Sequence, residues 1–376
     1  MEGKLIKKIK ILFTIPNFNT AGSGKALFKI AAGLNRELFL PSIMCTNDRG
    51  ELFETIKNSG IPVYVYNYRS DIRYRIRGLQ NCYKVSKYLK SLEPDLIHSF
   101  HYNDDYSEAI SARLSSVKWV YSKKNMMWNS NAWKLRTFLA NGIIALNSDM
   151  INNFFKDNKK VTLIPRGVDL DEFSYREKSK VLMEKLNLNI DDRILLCVAN
   201  FVPVKDIATL IEAFDQLSKE HENLKLIIAG DYNNPYGSQL ISKYTHLINA
   251  EKLILPGKTA DTKQYYNLAD FFILPTNSRG EGTSVSILEA MASSCVVLAS
   301  NVPGNKDQLK LFPEQLFEPE DSCILISKIN EFLLKPNDEI SRIKKKQKKV
   351  VTECYTLDKE IEKHEQFYLK ILNKQD

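Results

Sequence analysis

Twice along this chain, short apolar runs bounded by turn residues alternate with stretches of helical periodicity, and this double alternation most constrains its fold. Residues 9–15, 42–46, 63–66, 96–100, 117–121, 143–146 and 161–164 are brief and rich in Ile, Val, Phe and Tyr, as in strands buried on both faces of a parallel sheet. Residues 24–38, 51–59, 76–91, 107–114, 133–140 and 148–156 carry helical spacing between them. After a polar stretch at 169–179 the pattern restarts, with strands predicted at 194–199, 224–229, 253–255, 271–274 and 296–299. Helices are predicted at 207–219, 237–248, 262–267, 285–293 and 324–334. Such alternation builds doubly wound α/β domains. The expected organisation is therefore α/β, with two Rossmann-like domains: 1–168, a linker over 169–182, and 183–355, with a C-terminal helix at 356–374 joining the first domain. Open parallel sheets bind ligands beyond their strands' carboxyl ends, so a central cleft faced by the two domains is the expected site.

With 376 residues, 44% of them hydrophobic, the chain can bury two full cores, which excludes disordered and fibrous classes. Its net charge of +8 is uneven, +12 over residues 1–180 and −4 over 181–376. A basic first half suits nucleic acid, an anionic membrane or an acidic small molecule, and the sum does not choose between them. The six cysteines, Cys45, Cys82, Cys197, Cys295, Cys323 and Cys354, are scattered without a C-x-x-C pair, as expected of reduced thiols in a cytoplasmic protein. The N-terminus lacks an apolar stretch followed by a cleavage site, and no run approaches the ~18 apolar residues of a membrane span. The expected location is the cytoplasm, with any membrane contact peripheral, at the inner face of the cell membrane.

The strongest chemical signal is Arg279-Gly280-Glu281-Gly282-Thr283-Ser284-Val285-Ser286-Ile287-Leu288-Glu289-Ala290-Met291-Ala292. Glu281 follows the predicted strand at 271–274 in a glycine-flanked loop. Thr283 or Ser284 is a good N-cap for a helix that carries Glu289 in its second turn. A helix N-terminus with Gly282 allowing close backbone approach is an anion site, and a diphosphate fits it. Glu281 and Glu289 would then accept hydrogen bonds from neighbouring hydroxyls, which ribose and hexose both offer.

These residues resemble the E-x7-E motif of retaining glycosyltransferases of the GT-B fold, in the E-G-x6-E-A-M-A form of glycosyltransferase family 4 (GT4). The resemblance extends to Ile164-Pro165-Arg166-Gly167-Val168-Asp169 with Phe173, to Val198-Ala199-Asn200 followed by Lys205, to Ile228-Ala229-Gly230-Asp231 and to Val302-Pro303-Gly304-Asn305. It implies a transfer of sugar from a nucleoside diphosphate sugar, a UDP-sugar by expectation, to a glycan or lipid-linked acceptor in surface polysaccharide biosynthesis. It places Glu289 on the donor ribose, Glu281 on the donor sugar, and the amides of Gly282, Thr283 and Ser284 on sugar or phosphate oxygens. Lys205 would neutralise the leaving diphosphate, Asn200 stands in the donor-binding stretch, and Lys258 falls where the family contacts the base. Relatives often carry an arginine at the position of Asn200 or Val202. Here either Lys205 acts with the helix N-terminus alone, or a cation such as Arg166 adds charge. No metal site and no cofactor are expected beyond the sugar nucleotide itself.

The segment Asn19-Thr20-Ala21-Gly22-Ser23-Gly24-Lys25-Ala26 fails as a phosphate loop of the G-x4-G-K-[ST] type, because Asn19 and Ala26 break it. It resembles instead the family's glycine-rich turn after the first strand, where Gly22 and Gly24 would let backbone approach donor phosphate or acceptor. His98 and His101 follow a predicted strand end. His98 matches a position often His in the family, and His101, further into the loop, is the candidate acceptor-side catalytic group. Where some relatives place an acceptor-activating histidine, this chain has Tyr121-Ser122-Lys123-Lys124. In a front-face retaining mechanism the leaving phosphate oxygen itself takes the acceptor's proton, so no separate base is required.

The basic excess concentrates in Arg73, Arg75 and Arg77, interleaved with Tyr74 and Ile76 and continuing to Lys84, Lys87 and Lys90. A solvated helix face accounts for such a run. Given an acceptor-side domain, contact with an anionic membrane or a lipid diphosphate is the sharper reading, and nucleic acid is not an expected partner. Two rivals remain: a GT-B sugar-nucleotide epimerase, and a basic lipid- or nucleic-acid-binding protein with a vestigial donor site.

Overall fold

The computed structural model describes residues 7–19, 21–50, 52–72, 75–259 and 261–373. The chain forms two compact units, residues 1–165 with 357–376, and residues 166–356. The first is built on strands β1 (Ile9–Ile15), β2 (Phe39–Cys45), β3 (Val63–Val65), β4 (Leu96–Ser99), β5 (Lys118–Lys123), β6 (Gly142–Ala145) and β7 (Val161–Leu163). All pair in parallel in the order β3-β2-β1-β4-β5-β6-β7. The crossovers are α1 (Ala21–Gly33), α2 (Leu52–Lys57), α3 (Arg75–Ser91), α4 (Ser107–Leu114), α5 (Asn131–Leu139) and α6 (Ser148–Phe154). Because β1 is flanked by β2 and β4, the winding reverses between β1 and β4, and the crevice beyond their carboxyl ends is where such sheets hold ligands.

The second unit repeats the plan. Strands β8 (Arg193–Val198), β9 (Leu224–Ala229), β10 (Leu253–Gly257), β11 (Phe271–Leu274), β12 (Val296–Ser300) and β13 (Leu316–Phe317) form a parallel sheet ordered β10-β9-β8-β11-β12-β13. Its switch point lies between β8 and β11. Around it stand α7 (Lys180–Lys185), α8 (Ile207–Glu220), α9 (Pro235–Lys243), α10 (Thr245–Asn249), α11 (Lys263–Leu268), α12 (Val285–Ala292), α13 (Ser322–Leu333) and α14 (Asn337–Cys354). α8 shows why: Ile207, Leu210, Ile211, Phe214 and Leu217 fall on one face at helical spacing and are all buried in the core. A last helix, α15 (Leu357–Asn373), belongs to the first unit.

The polar stretch after residue 168 is more structured than its composition suggests. Val168 and Phe173 are buried in the core of the second unit, and Ser179 caps α7 by accepting the Leu182 N–H at 3.3 Å. Residues 166–182 accordingly belong to that unit. The predicted helix at 237–248 is two helices, broken at Tyr244.

Candidate functional site

Two loops meet at the switch point of the second sheet. After β8 the chain turns through a 3-10 segment, Pro203–Lys205, and leaves it at Asp206, whose φ of 47° is left-handed. The loop after β11 is tied to this turn by the Asn277 N–H, which donates to the Val204 carbonyl at 3.0 Å. The result sets Lys205 Nζ 2.6 Å from Glu281 Oε2, while Thr276 Oγ1 donates to Glu281 Oε1 at 2.6 Å. From behind, the Glu281 N–H donates to the Pro303 carbonyl at 2.9 Å. Gly304, at φ 88°, packs so tightly that a methyl there would lie 2.7 Å from the Glu281 carbonyl oxygen. Burial pushes the Glu281 carboxyl up, but the Lys205 ammonium and its hydrogen bond outweigh it, holding the group below the usual carboxylate range. Glu281 is therefore an ionised acceptor.

Helix α12 starts immediately beyond. Ser284 stands at its N-cap position with extended backbone, but it does not cap, contrary to expectation: its hydroxyl donates to Asn305 Oδ1 at 2.8 Å. Gln308 Nε2 holds the Ser284 carbonyl at 3.0 Å, so the loop after β12 fixes the helix start. The Thr283 hydroxyl donates to the Gly282 carbonyl at 2.8 Å. Glu289, one turn into α12, accepts a 2.7 Å hydrogen bond from the buried Tyr266 phenol. Burial, then Glu289 itself, holds that phenol well above its ordinary pKa, so Tyr266 remains the donor. Asn200 Oδ1 accepts the Asp231 N–H at 3.0 Å, linking the loops after β8 and β9. Lys258 is exposed beyond β10, two strands from β8 in the sheet order.

In the first unit, Gly22 and Gly24 lie in the opening turns of α1, not in a loop. Gly22 is exposed, whereas Gly24 is buried with space for a Cβ only 3.0 Å from the Phe18 ring. His98 is fully buried, with Nδ1 2.7 Å from the Tyr368 hydroxyl and Nε2 2.8 Å from Ser122 Oγ, which makes it a link between the sheet and α15. His101 is only 2% exposed, and its Nδ1 has no hydrogen-bond partner among the described residues. Burial, then Arg136, Arg69 and Lys124, push its pKa down to about 2, so it is neutral. Arg73 lies outside the described residues, as does the side chain of Arg75, while Arg77 is exposed on α3.

Several groups here were invisible as site residues in the sequence. Arg136, wholly buried, donates from Nη1 to the Asn103 carbonyl (3.2 Å) and from Nη2 to Ser99 Oγ (3.2 Å) and the His101 carbonyl (3.3 Å), and also to the Asp105 carbonyl. It thus shapes the loop after β4. Lys123 is buried too, donating to both Asn125 oxygens at 2.6 Å and to the Met127 carbonyl at 2.8 Å, with its ammonium 4.0 Å from the Trp133 ring centre. Nothing in a Lys-Lys pair or a lone helix arginine distinguishes these from solvated surface. No group of three or more His, Cys, Asp or Glu side chains placed to hold a metal occurs among the described residues.

Two family models match the chain: "Glycosyl transferases group 1" over residues 178–350 and "Glycosyltransferase Family 4" over 20–172. The chain belongs to glycosyltransferase family 4. The two models fall on the two structural units. The enzyme is 24% identical to the lipopolysaccharide 1,2-N-acetylglucosaminetransferase of Salmonella typhimurium, over 97% of this chain and 98% of the relative. It is 25% identical to the alpha-monoglucosyldiacylglycerol synthase of Streptococcus pneumoniae, over 78% and 71%. Among solved structures, a glycosyltransferase from Rickettsia africae superposes with a TM-score of 0.84 at 19% identity, covering 98% of this chain and all of that one. Anabaena HepE in complex with UDP and glucose gives 0.81 at 18% identity, covering 96% and 99%. The fold of this glycosyltransferase is thus GT-B.

Proposed function

We propose that this glycosyltransferase moves a sugar, with retention of configuration, from a UDP-sugar to a glycan or lipid-linked acceptor of a surface polysaccharide or glycolipid. The observation that carries the proposal is the Lys205–Glu281 pair, 2.6 Å apart at the switch point of the second sheet and beside the start of α12. A cation and a helix N-terminus suit the diphosphate, and two braced carboxylates suit sugar and ribose hydroxyls. As the bond from the anomeric carbon to the diphosphate oxygen breaks, charge grows on that oxygen. Lys205 and the α12 N–H groups stabilise it there, and removal of one such contact typically costs about 10²–10³ in rate. The same phosphate oxygen takes the acceptor hydroxyl's proton as the new bond forms on the face just vacated. The protein's own positive charge meets the diphosphate, so the enzyme works without a metal or other cofactor. The HepE complexes with UDP and UDP-glucose support the choice of donor, and the names of the relatives support the class of acceptor.

The test is a panel of nucleotide sugars scored by thermal shift and nucleoside diphosphate release, run with Glu281→Ala, Lys205→Ala and a chelator. The expected outcome is stabilisation by a UDP-sugar, release slowed at least 100-fold in both variants, and indifference to the chelator. Variants that release product as fast as the wild type would overturn the site. Conversion of the sugar nucleotide without transfer would favour an epimerase instead.

The same proposal places the first unit at an anionic membrane surface, inside the cytoplasm. On α3, Ile76, Leu79 and Tyr83 are 77%, 51% and 53% exposed and share one side with Lys87, while Arg77 and Lys84 flank them. Apolar side chains rimmed by bases suit a bilayer interface. No described helix is long and apolar enough to cross a membrane.

A further inference from the structure

At the switch point of the first sheet, beyond the ends of β1 and β4, lies a pocket of about 260 Å³ whose lining includes Asn17, Ser23, Arg69, His101, Asn103 and Lys124. Among the described residues no carboxylate lines it. Two of these side chains are cationic, and Ser23 lies in the first turn of α1, whose N-terminal amides carry partial positive charge. Lys124 Nζ is held in the wall by Ser23 Oγ at 3.2 Å and by the Phe100 carbonyl. Arg69 is anchored from outside by Asp105, Nε to Oδ2 at 3.2 Å. Within this positive setting, the buried imidazole of His101 has an Nδ1 with no hydrogen-bond partner among the described residues. A neutral imidazole can present that nitrogen as N–H, and a buried donor left unmade is costly. Burial first, and then Arg136, Arg69 and Lys124, lower its pKa to about 2, and these three cations report the sign of the local field. With Arg69 and Lys124 in its wall, the pocket suits an anion.

Arg69 and Asn103 also line a second and larger cavity, about 890 Å³, with Asn47, Asn67, Asp71 and Asp105. Amides and carboxylates of this kind accept and donate to sugar hydroxyls, and the scale is that of a saccharide rather than an acyl chain. We propose that the acceptor is an anionic saccharide: its ring occupies the larger cavity, and a phosphate- or carboxylate-class substituent sits on Arg69, His101 and Lys124. This rests on the assignment of the first unit to the acceptor.

Isothermal titration of the full chain with α-glucose 1-phosphate, glucuronate and glucose tests it, alongside UDP as a donor-site probe and vesicles of neutral lipid doped with a polyprenyl diphosphate. Each ligand is measured on the wild type, Lys124→Gln, Lys124→Arg and Lys205→Gln. Expected are binding of at least one anionic ligand ten-fold or more tighter than glucose, a further ten-fold loss in Lys124→Gln, and recovery in Lys124→Arg. The anionic arm that shows this dependence identifies the substituent as a sugar phosphate, a carboxylate or a lipid diphosphate. Absence of Lys124 dependence in every anionic arm, or loss of anion binding in Lys205→Gln instead, overturns the proposal. UDP binding lost only in Lys205→Gln reports the donor site separately, so the two readings fail independently.

Discussion

Lys205 and Glu281 each determine what the other can do. The carboxyl is buried enough to favour its neutral form, and it is the ammonium 2.6 Å away that keeps it charged. A depressed folded-state pKa contributes stability that is present above the unfolded value, about 4.3, and lost as pH falls through the folded one. In Lys205→Met the cation is gone while the burial stays, so the Glu281 pKa rises. The acid limb of UDP-sugar binding is expected to move toward neutral pH in that variant, beyond its general loss of affinity. An unmoved limb would mean that Glu281 does not contact the donor. In the first unit Arg136 has the corresponding importance for shape. Arg136→Met strips three donor contacts from the loop after β4 and a fourth from Ser99 at the strand's end, and leaves Glu108, buried on Thr14 and Ser99, without its nearby cation. Leaving buried acceptors of this kind unpaired costs roughly 1–3 kcal/mol each. Chemical denaturation should show that loss, with His101 becoming exposed to modification. The sequence brought out Glu281 and Glu289 as candidates because they flank one predicted helix start, and Lys205 through its place in the family motif. Arg136, on a short helix, and Lys123, at the end of β5, were not legible, because their burial depends on tertiary packing and a basic residue ordinarily faces water.

The elements that were easiest to foresee are those whose burial is set by their own sequence. β8, β9 and β11 are uninterrupted apolar runs between turns, and they form within a residue of expectation. β2 begins three residues before its predicted start, running through Pro41, which pairs with Ile11 of β1. β13 is only two residues long and exists by pairing with Ala299 and Ser300, which no local pattern announces. α3 is the element with the most to say about function. Gly78, Cys82, Val85, Ser86 and Leu89 form its buried side, so the exposed Ile76, Leu79 and Tyr83 are surplus to folding. Replacing all three by Ser should abolish co-sedimentation with anionic liposomes while changing thermal stability by less than about 1.5 kcal/mol, as expected of exposed positions. Reversing Arg77, Lys84 and Lys87 to Glu should weaken the same binding and remove its salt dependence, roughly 1 kcal/mol for each base near the surface. Retained binding in both sets would place the bilayer contact elsewhere.

At the scale of the whole chain, the ordering of the two units in sequence is not the ordering of their cores. The first unit is closed by the last helix. Ile361 of α15 sits so near Gly33 of α1 that a Cβ there would come within 2.2 Å of its Cδ1, and Phe367 and Ile371 cover Gly142 at the start of β6 in the same way. Tyr368 completes the hydrogen bonds of His98 at 2.7 Å. Four apolar side chains of α15, Ile361, Phe367, Tyr368 and Ile371, are buried in the first core. At roughly 1.5–3 kcal/mol for each buried side chain, their removal matches the ~5–15 kcal/mol that keeps a domain folded. The second unit, by contrast, closes on itself: the Val168 N–H donates to the Tyr355 carbonyl at 2.8 Å, pinning its two ends together before the chain departs into α15. Separate expression should therefore be asymmetric. A fragment of residues 166–356 is expected to fold and to bind UDP within about ten-fold of the full enzyme, since Lys205, Glu281 and Glu289 all lie inside it. A fragment of residues 1–165 should stay unfolded by circular dichroism until a peptide of residues 357–373 is supplied. Cooperative folding of 1–165 alone would show that α15 merely decorates a core already complete without it.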